Sequence, residues 1–279
     1  MKFRGKMTEI VCIQYFTKII STVAKLAKIV ALRITSTNLY FIFNEKASDG
    51  GTRLWCELLQ NHFFNEYNMI GVSDEFNEIY LELSTDNLVQ ALKSSSSAKT
   101  LKIKLTKKHA PCLTLENELP SLSSYSRLVI HDVPVRVIPV KFWDEFQEPE
   151  MLQFDVSLYM PPLKIVRNII DRMKNLDSFV TLSANPEGIL VLQVENDIVT
   201  VKTRFTNLEI PSGTGQNEDA DPEFPAEVRV NIRKLSQFLF GQQVNPLRVI
   251  CNIIHNKMIH FFLLHDDVSL QFFLPCVSR

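Results

Sequence analysis

The stretch Ile19-Ile20-Ser21-Thr22-Val23-Ala24-Lys25-Leu26-Ala27-Lys28-Ile29-Val30-Ala31-Leu32 returns, 150 residues later, as Ile169-Ile170-Asp171-Arg172-Met173-Lys174-Asn175-Leu176-Asp177-Ser178-Phe179-Val180-Thr181-Leu182. Ile19-Ile20 falls on Ile169-Ile170, Val23 on Met173, Leu26 on Leu176, Ile29-Val30 on Phe179-Val180 and Leu32 on Leu182. Further on, Leu39 meets Ile189. The early matches are spaced by three and four and the later ones by two, so one helix-to-strand transition occurs twice without a gap. A repeat of this length implies two like domains in one chain.

A second echo at offset 147 sets Leu88, Gln90 and Leu92 on Leu235, Gln237 and Leu239. Ser84 or Thr85 can cap the first of these helices with Asp86 in its opening turn, and Asn231 stands at the matching start. Between the helices the pattern alternates, as in residues 39–43, 79–83, 101–105 and 199–203, which predicts strands with one buried face. Each half thus reads as strand, helix, about three strands, helix and three strands: an α+β arrangement of antiparallel sheets with two helices on one side. The expected boundaries are a first domain at 1–138, a connecting linker at 139–153 and a second domain at 154–279. The linker is acidic and proline-bounded, which favours an extended course, while Phe142, Trp143 and Phe146 would seek a groove on the adjoining sheet. Residues 211–222 lack an apolar period and predict an acidic loop. Ser94-Ser95-Ser96-Ser97 reads as a helix exit, with phosphorylation as the alternative.

With 279 residues, 46% of them hydrophobic, the chain can fill two cores. Its longest apolar runs fall far short of the roughly 18 residues that cross a bilayer, and no secretory leader pattern opens it. Cys12, Cys56, Cys112, Cys251 and Cys276 are widely spaced without a CxxC pair, which predicts buried free thiols in place of disulfides or a zinc site.

The net charge of −1 hides a segregation. Residues 9–28 carry +2, residues 162–176 +3, residues 231–240 +2 and residues 84–97 none, so the helices hold +7 and the remaining chain −8. Lys18 and Lys25 lie seven apart, two turns of one helical face, and Arg167 and Lys174 repeat that spacing. Phe16, Ile19, Val23 and Leu26 form the opposite, apolar stripe. Helices of several such domains facing inward around a ring would line a hole for duplex DNA with cations, touching phosphates without reading sequence.

The segments Phe63-Phe64-Asn65-Glu66, residues 77–83, residues 101–106, Gly241-Gln242-Gln243-Val244-Asn245-Pro246 and residues 265–271 closely resemble the Hus checkpoint proteins, as does Ala24-Lys25-Leu26-Ala27-Lys28. The similarity runs through both halves. It implies the two-domain sliding-clamp fold of PCNA and a place in the heterotrimeric nine-one-one ring. By the same resemblance, that ring includes two other checkpoint clamp subunits, is set on double-stranded DNA by a clamp loader, signals damage and recruits repair enzymes. The location implied is the nucleus, with a cytoplasmic pool, and no membrane or cofactor is involved. Carried over by position, the DNA-facing residues would be Lys18, Lys25, Lys28, Arg167, Arg172, Lys174, Arg233 and Lys234. The subunit edges would run through Cys112, Leu113, Thr114 and Leu115 to Glu116, and through Val199, Thr200, Val201 and Lys202 to Thr203, since edge strands offer unpaired backbone groups.

Two rivals remain at this level: a homotrimeric replication clamp and a metal-dependent DNA-processing enzyme. No phosphate loop, GxSxG or HExxH occurs, so an enzyme reading finds no catalytic motif. His255 and His260, near Asp266 and Asp267, suggest a metal site only weakly, since histidines on strands more often pack or hydrogen-bond. A nuclease would need clustered carboxylates to hold metal ions, and the strongest acidic cluster, Glu218-Asp219-Ala220-Asp221, lies in the expected loop.

Overall fold

The computed structural model describes residues 1–46, 51–120, 127–150, 153–212 and 225–277. The expected acidic loop lies, beyond Ser212, outside the described residues. Two compact units divide the chain, Met1–Phe43 with Trp55–Glu148, and Asn44–Leu54 with Pro149–Arg279.

The first unit runs through β1 (Lys2–Met7), α1 (Ile10–Leu26), β2 (Ile29–Ile34), β3 (Asn38–Asn44), β4 (Arg53–Leu59), a single helical turn α2 (Gln60–Phe63), β5 (Glu66–Ile70), β6 (Ile79–Ser84), α3 (Thr85–Leu92), β7 (Thr100–Lys107), β8 (Pro111–Leu119) and β9 (Arg127–Val137). The second follows with β10 (Val156–Tyr159), α4 (Leu163–Met173), β11 (Phe179–Asn185), β12 (Ile189–Glu195), β13 (Thr200–Phe205), β14 (Ala226–Asn231), α5 (Ile232–Phe238), β15 (Arg248–Ile254), β16 (Met258–His265) and β17 (Val268–Pro275). The first helix is thus followed by five strands in unit 1 and four in unit 2, where the sequence suggested about three.

The duplication is explicit in the strand orders. In unit 1 the strands run β4-β3-β2-β6 and β9-β8-β7-β1, and in unit 2 the counterparts run β13-β12-β11-β14 and β17-β16-β15-β10. β5 is the insertion, added outside β1. These neighbouring strands pair antiparallel, as short reversals demand.

Why the helices sit where they do follows from their apolar spacing. On α1, Ile13, Phe16, Ile19, Ile20 and Val23 are buried, each such side chain contributing roughly 1.5–3 kcal/mol by leaving water. Leu26, expected on this stripe, is only part-buried because the helix ends there. The Thr85 hydroxyl, fully buried, donates to the Ala27 carbonyl at 2.7 Å and fastens the end of α1 to the start of α3. Ser84 caps α3 by accepting from the Asn87 amide at 3.4 Å, and Asn231 caps α5 by accepting from the amides of Arg233 and Lys234. α1 packs on α3 and α4 on α5.

The segment after β9 departs from the extended course expected of it. Val140–Phe146 forms a 3₁₀ helix. Trp143 is buried, stacks on Tyr80 at 4.4 Å and donates its indole N–H to the Ile138 carbonyl. Phe146 is half-buried against the same cluster of Ala31, Ile42, Trp55 and Tyr80, whereas Phe142 stays in solvent at 42% exposure. The five cysteines are free, with Cys56 and Cys251 buried and the other three half-buried. No described helix is long and apolar enough to cross a membrane.

Candidate nucleic-acid interface and subunit edges

Of the eight cations expected to face DNA, Lys18 and Lys25 on α1, Lys28 just after it, Arg172 on α4, Lys174 at the α4 end and Arg233 on α5 are exposed. Lys164 joins Arg172 on the outer ridge of α4. Three of the eight, Arg167, Lys174 and Lys234, are held by acids of the chain. Arg167 lies 3.6 Å from Asp171 and over the Phe240 ring, and Lys174 reaches Asp171 at 2.6 Å. Lys234 bonds Glu45 at 2.6 Å and the Thr52 hydroxyl at 2.7 Å. The Lys174 hydrogen bond, with Ser236 and Arg167 nearby, holds the Asp171 carboxyl below the ordinary aspartate range. Burial pushes Glu45 upward, and its bonds to Lys234 and Thr52 more than reverse that.

Arg167 and Lys174 differ from Lys18 and Lys25 for a geometric reason. At the 150-residue offset they answer to Thr17 and Ala24, one residue back along the helix. One residue is about 100° of rotation, enough to set both beside Asp171 of their own helix. The shared spacing of seven was real, but the two pairs occupy different faces.

A second cationic surface escaped the count by helices. Lys2, Arg4 and Lys6 alternate on β1 and Lys102 and Lys104 on β7, and the register sets Arg4 opposite Lys104 and Lys6 opposite Lys102. Since Phe3 and Met7 point to the core, these cations share the sheet's outward face. Directly opposed like charges disfavour pairing. Glu66 at 2.9 Å from Lys6 and Glu116 at 2.8 Å from Lys104 offset the repulsion. The period-two cations in residues 2–6 and 102–104 were the available signal.

The edge expectation needs correction in one half. Cys112, Leu113, Thr114 and Leu115 belong to β8, which pairs with β7 on one flank and β9 on the other, so its backbone groups are consumed within the unit. Among the described strands, the open flank belongs to β9. Residues Arg127–Pro134 pair with β8, and only Val135–Val137 also pair with β6. Leu128 and Ile130 on this stretch are 55% and 51% exposed. Pro134, which cannot donate to a ladder, was the sequence signal for an edge. In the second unit, β13 is the terminal strand of its sheet and pairs with β12 alone among described strands. It holds Thr200, Val201 and Lys202. Val199 precedes it at 38% exposure, with Ile198 at 94%. No β13 residue is buried, so its alternation marks an edge and not a half-buried strand.

Against this geometry, a family model described as Hus1-like protein matches residues 1–278. The chain belongs to the Hus1-like family. It is 50% identical to Checkpoint protein HUS1 of Homo sapiens across the whole of both chains, and 29% identical to Checkpoint protein Hus1-like of Drosophila melanogaster over 99% of each. A crystal structure of proliferating cellular nuclear antigen from Entamoeba histolytica superposes with a TM-score of 0.74 over 99% of both chains at 12% identity, which establishes the clamp fold. This Hus1-like chain is accordingly a checkpoint clamp subunit and not an enzyme.

The residues once weighed for metal have structural roles. His260 is buried between Phe154 and Phe273, 4.4 Å from the latter, and shares a 3.0 Å hydrogen bond with Asn252. Burial lowers its pKa to about 4, so the ring is neutral at physiological pH. The His255 Nδ1 accepts from the Glu227 amide. Among the described residues, no three His, Cys, Asp or Glu side chains are grouped to hold a metal ion.

Proposed function

We propose that this Hus1-like chain is one subunit of a heterotrimeric ring that encircles duplex DNA, its two domains, 1–138 and 154–279, joined through the linker at 139–153. Lys18, Lys25, Lys28, Arg172 and Arg233 contact phosphates directly, and Arg167, Lys174 and Lys234 support that surface through their bonds to Asp171 and Glu45. Such contacts are sequence-independent and permit sliding. The open flank of β9 and the terminal strand β13 each receive a strand from a neighbouring subunit. The partners are two other checkpoint clamp subunits, with a clamp loader to open the ring and repair enzymes recruited to its surface, all serving nuclear damage signalling.

The observation that carries this reading is the coincidence, on each edge, of an unpaired strand flank with exposed aliphatic side chains: Leu128 and Ile130 on β9, Ile198 and Val199 at β13. Such edges invite pairing and are normally blunted unless a partner covers them. Coexpression with each candidate subunit, followed by affinity capture and sizing, tests it. The expected result is a mixed trimer. A stable trimer of this chain alone would replace the reading with a homotrimeric clamp.

A further inference from the structure

The run Ser94-Ser95-Ser96-Ser97 closes α3 through a 3₁₀ turn over Lys93–Ser95, sealed by the Ala98 amide donating to the Ser95 carbonyl at 3.0 Å. Three of its serines hold three different elements. The Ser94 hydroxyl is 3.0 Å from His131 Nε2 on the edge strand β9. Ser95 is fully buried and donates to the Asn117 side chain on β8 at 2.6 Å. Ser96 donates its hydroxyl to the Lys93 carbonyl at 3.1 Å, while its own carbonyl accepts from Gln14 on α1 at 3.0 Å. The turn is a latch joining α3 to α1 and to the edge.

Accessibility then selects among the hydroxyls. Ser95 is out of reach and Ser94 half-buried, whereas Ser96 and Ser97 are exposed, and of these two Ser96 lies midway between two exposed cations, Lys93 three residues before it and Lys99 three after. That flanking charge suits the acidic substrate groove of a basophilic serine kinase.

We propose that Ser96 is a phosphoacceptor and that its modification opens the latch. The Ser96 Oγ attacks the γ-phosphorus of a nucleoside triphosphate; the bond to the β-phosphate oxygen breaks, the nucleoside diphosphate leaves, and the hydroxyl proton passes to the kinase's base. With that proton gone, Ser96 no longer donates to the Lys93 carbonyl. The new charge of about −1.5 to −2 stands beside the last carbonyls of α3, the negative end of the helix dipole, where an anion is disfavoured. Lys18 lies one turn beyond Gln14 on the exposed side of α1, so a phosphate at the latch also competes with DNA for that cation. Only this last consequence rests on the DNA-facing reading above.

The full-length chain, purified, is treated with a serine kinase that prefers a basic residue three positions before its acceptor, and the phosphate is located by mass spectrometry. A second sample carries phosphoserine placed at 96 during translation. Incorporation at Ser96, abolished in Ser96→Ala, is the expected result. In the phosphoserine chain, amide exchange across 94–98 should accelerate by about five- to tenfold, the loss of one or two ordinary hydrogen bonds. Absence of phosphate at 96, incorporation at Ser97 alone, or unchanged exchange overturns the proposal. DNA association is read separately: the log–log salt slope should fall by about 0.9, one phosphate contact. If Lys18→Ala in the unmodified chain also leaves that slope untouched, the DNA-facing reading fails while the latch stands on mass and exchange.

Discussion

His260 shows how a residue read from sequence as a weak metal candidate becomes a core element once its neighbours are known. Stacked between two phenylalanine rings and hydrogen-bonded to Asn252, it is held neutral, with a pKa near 4 against the usual 6.5. The unfolded chain takes up its proton near 6.5 and the folded chain only near 4. Stability is therefore fully present above pH 6.5, is lost as pH falls toward 4, and this residue adds no further change below that; the loss is on the order of 3 kcal/mol at most. Urea unfolding of His260→Phe between pH 7 and 4 should show a flatter pH dependence than the parent chain, whatever its absolute stability. An unchanged pH slope would assign the dependence to other groups. Asn117 is a second case: it shares the parity of Leu113, Leu115 and Leu119, is buried with them, and its Oδ1 accepts from the Ser95 hydroxyl. That partner comes from a turn 22 residues earlier, which no local pattern reveals.

At the scale of elements, the edge expected at β8 falls to β9. The alternation in residues 112–119 is a central strand's, buried on one face and consumed by neighbours on both flanks, whereas Arg127–Pro134 keeps one flank open. Ile130→Lys should weaken capture of the neighbouring subunit by tenfold or more while shifting the melting temperature little, because Ile130 is exposed in the isolated chain. Lys202→Glu on β13 should act on the opposite junction. Leu113→Lys, by contrast, places a charge in the core and should prevent folding. Loss of capture without loss of folding in the β9 variant, measured by pull-down and thermal melting, is the pattern that identifies an interface.

For the whole molecule, the charge segregation counted from sequence separates into two populations. Lys18→Ala and Arg172→Ala should each reduce the salt slope of DNA association by up to about 0.9, since both cations are exposed and neither is ion-paired among the described residues. Lys174→Ala should reduce it less, because Asp171 already holds that ammonium. Equal effects from all three would mean that the Asp171 pairs open freely when DNA binds. What the sequence by itself determined was the doubled α+β plan, a cap at Asn231 and one at Ser84 or Thr85, and its family, because apolar periods and turn residues act over a few positions and repeat when a domain is copied. Only the tertiary structure decided which strand is an edge, which cations turn toward acids and which serines of the run are exposed. These depend on pairing partners and helix rotation set by residues tens of positions away, where a one-residue offset turns a side chain through about 100° and changes what it meets.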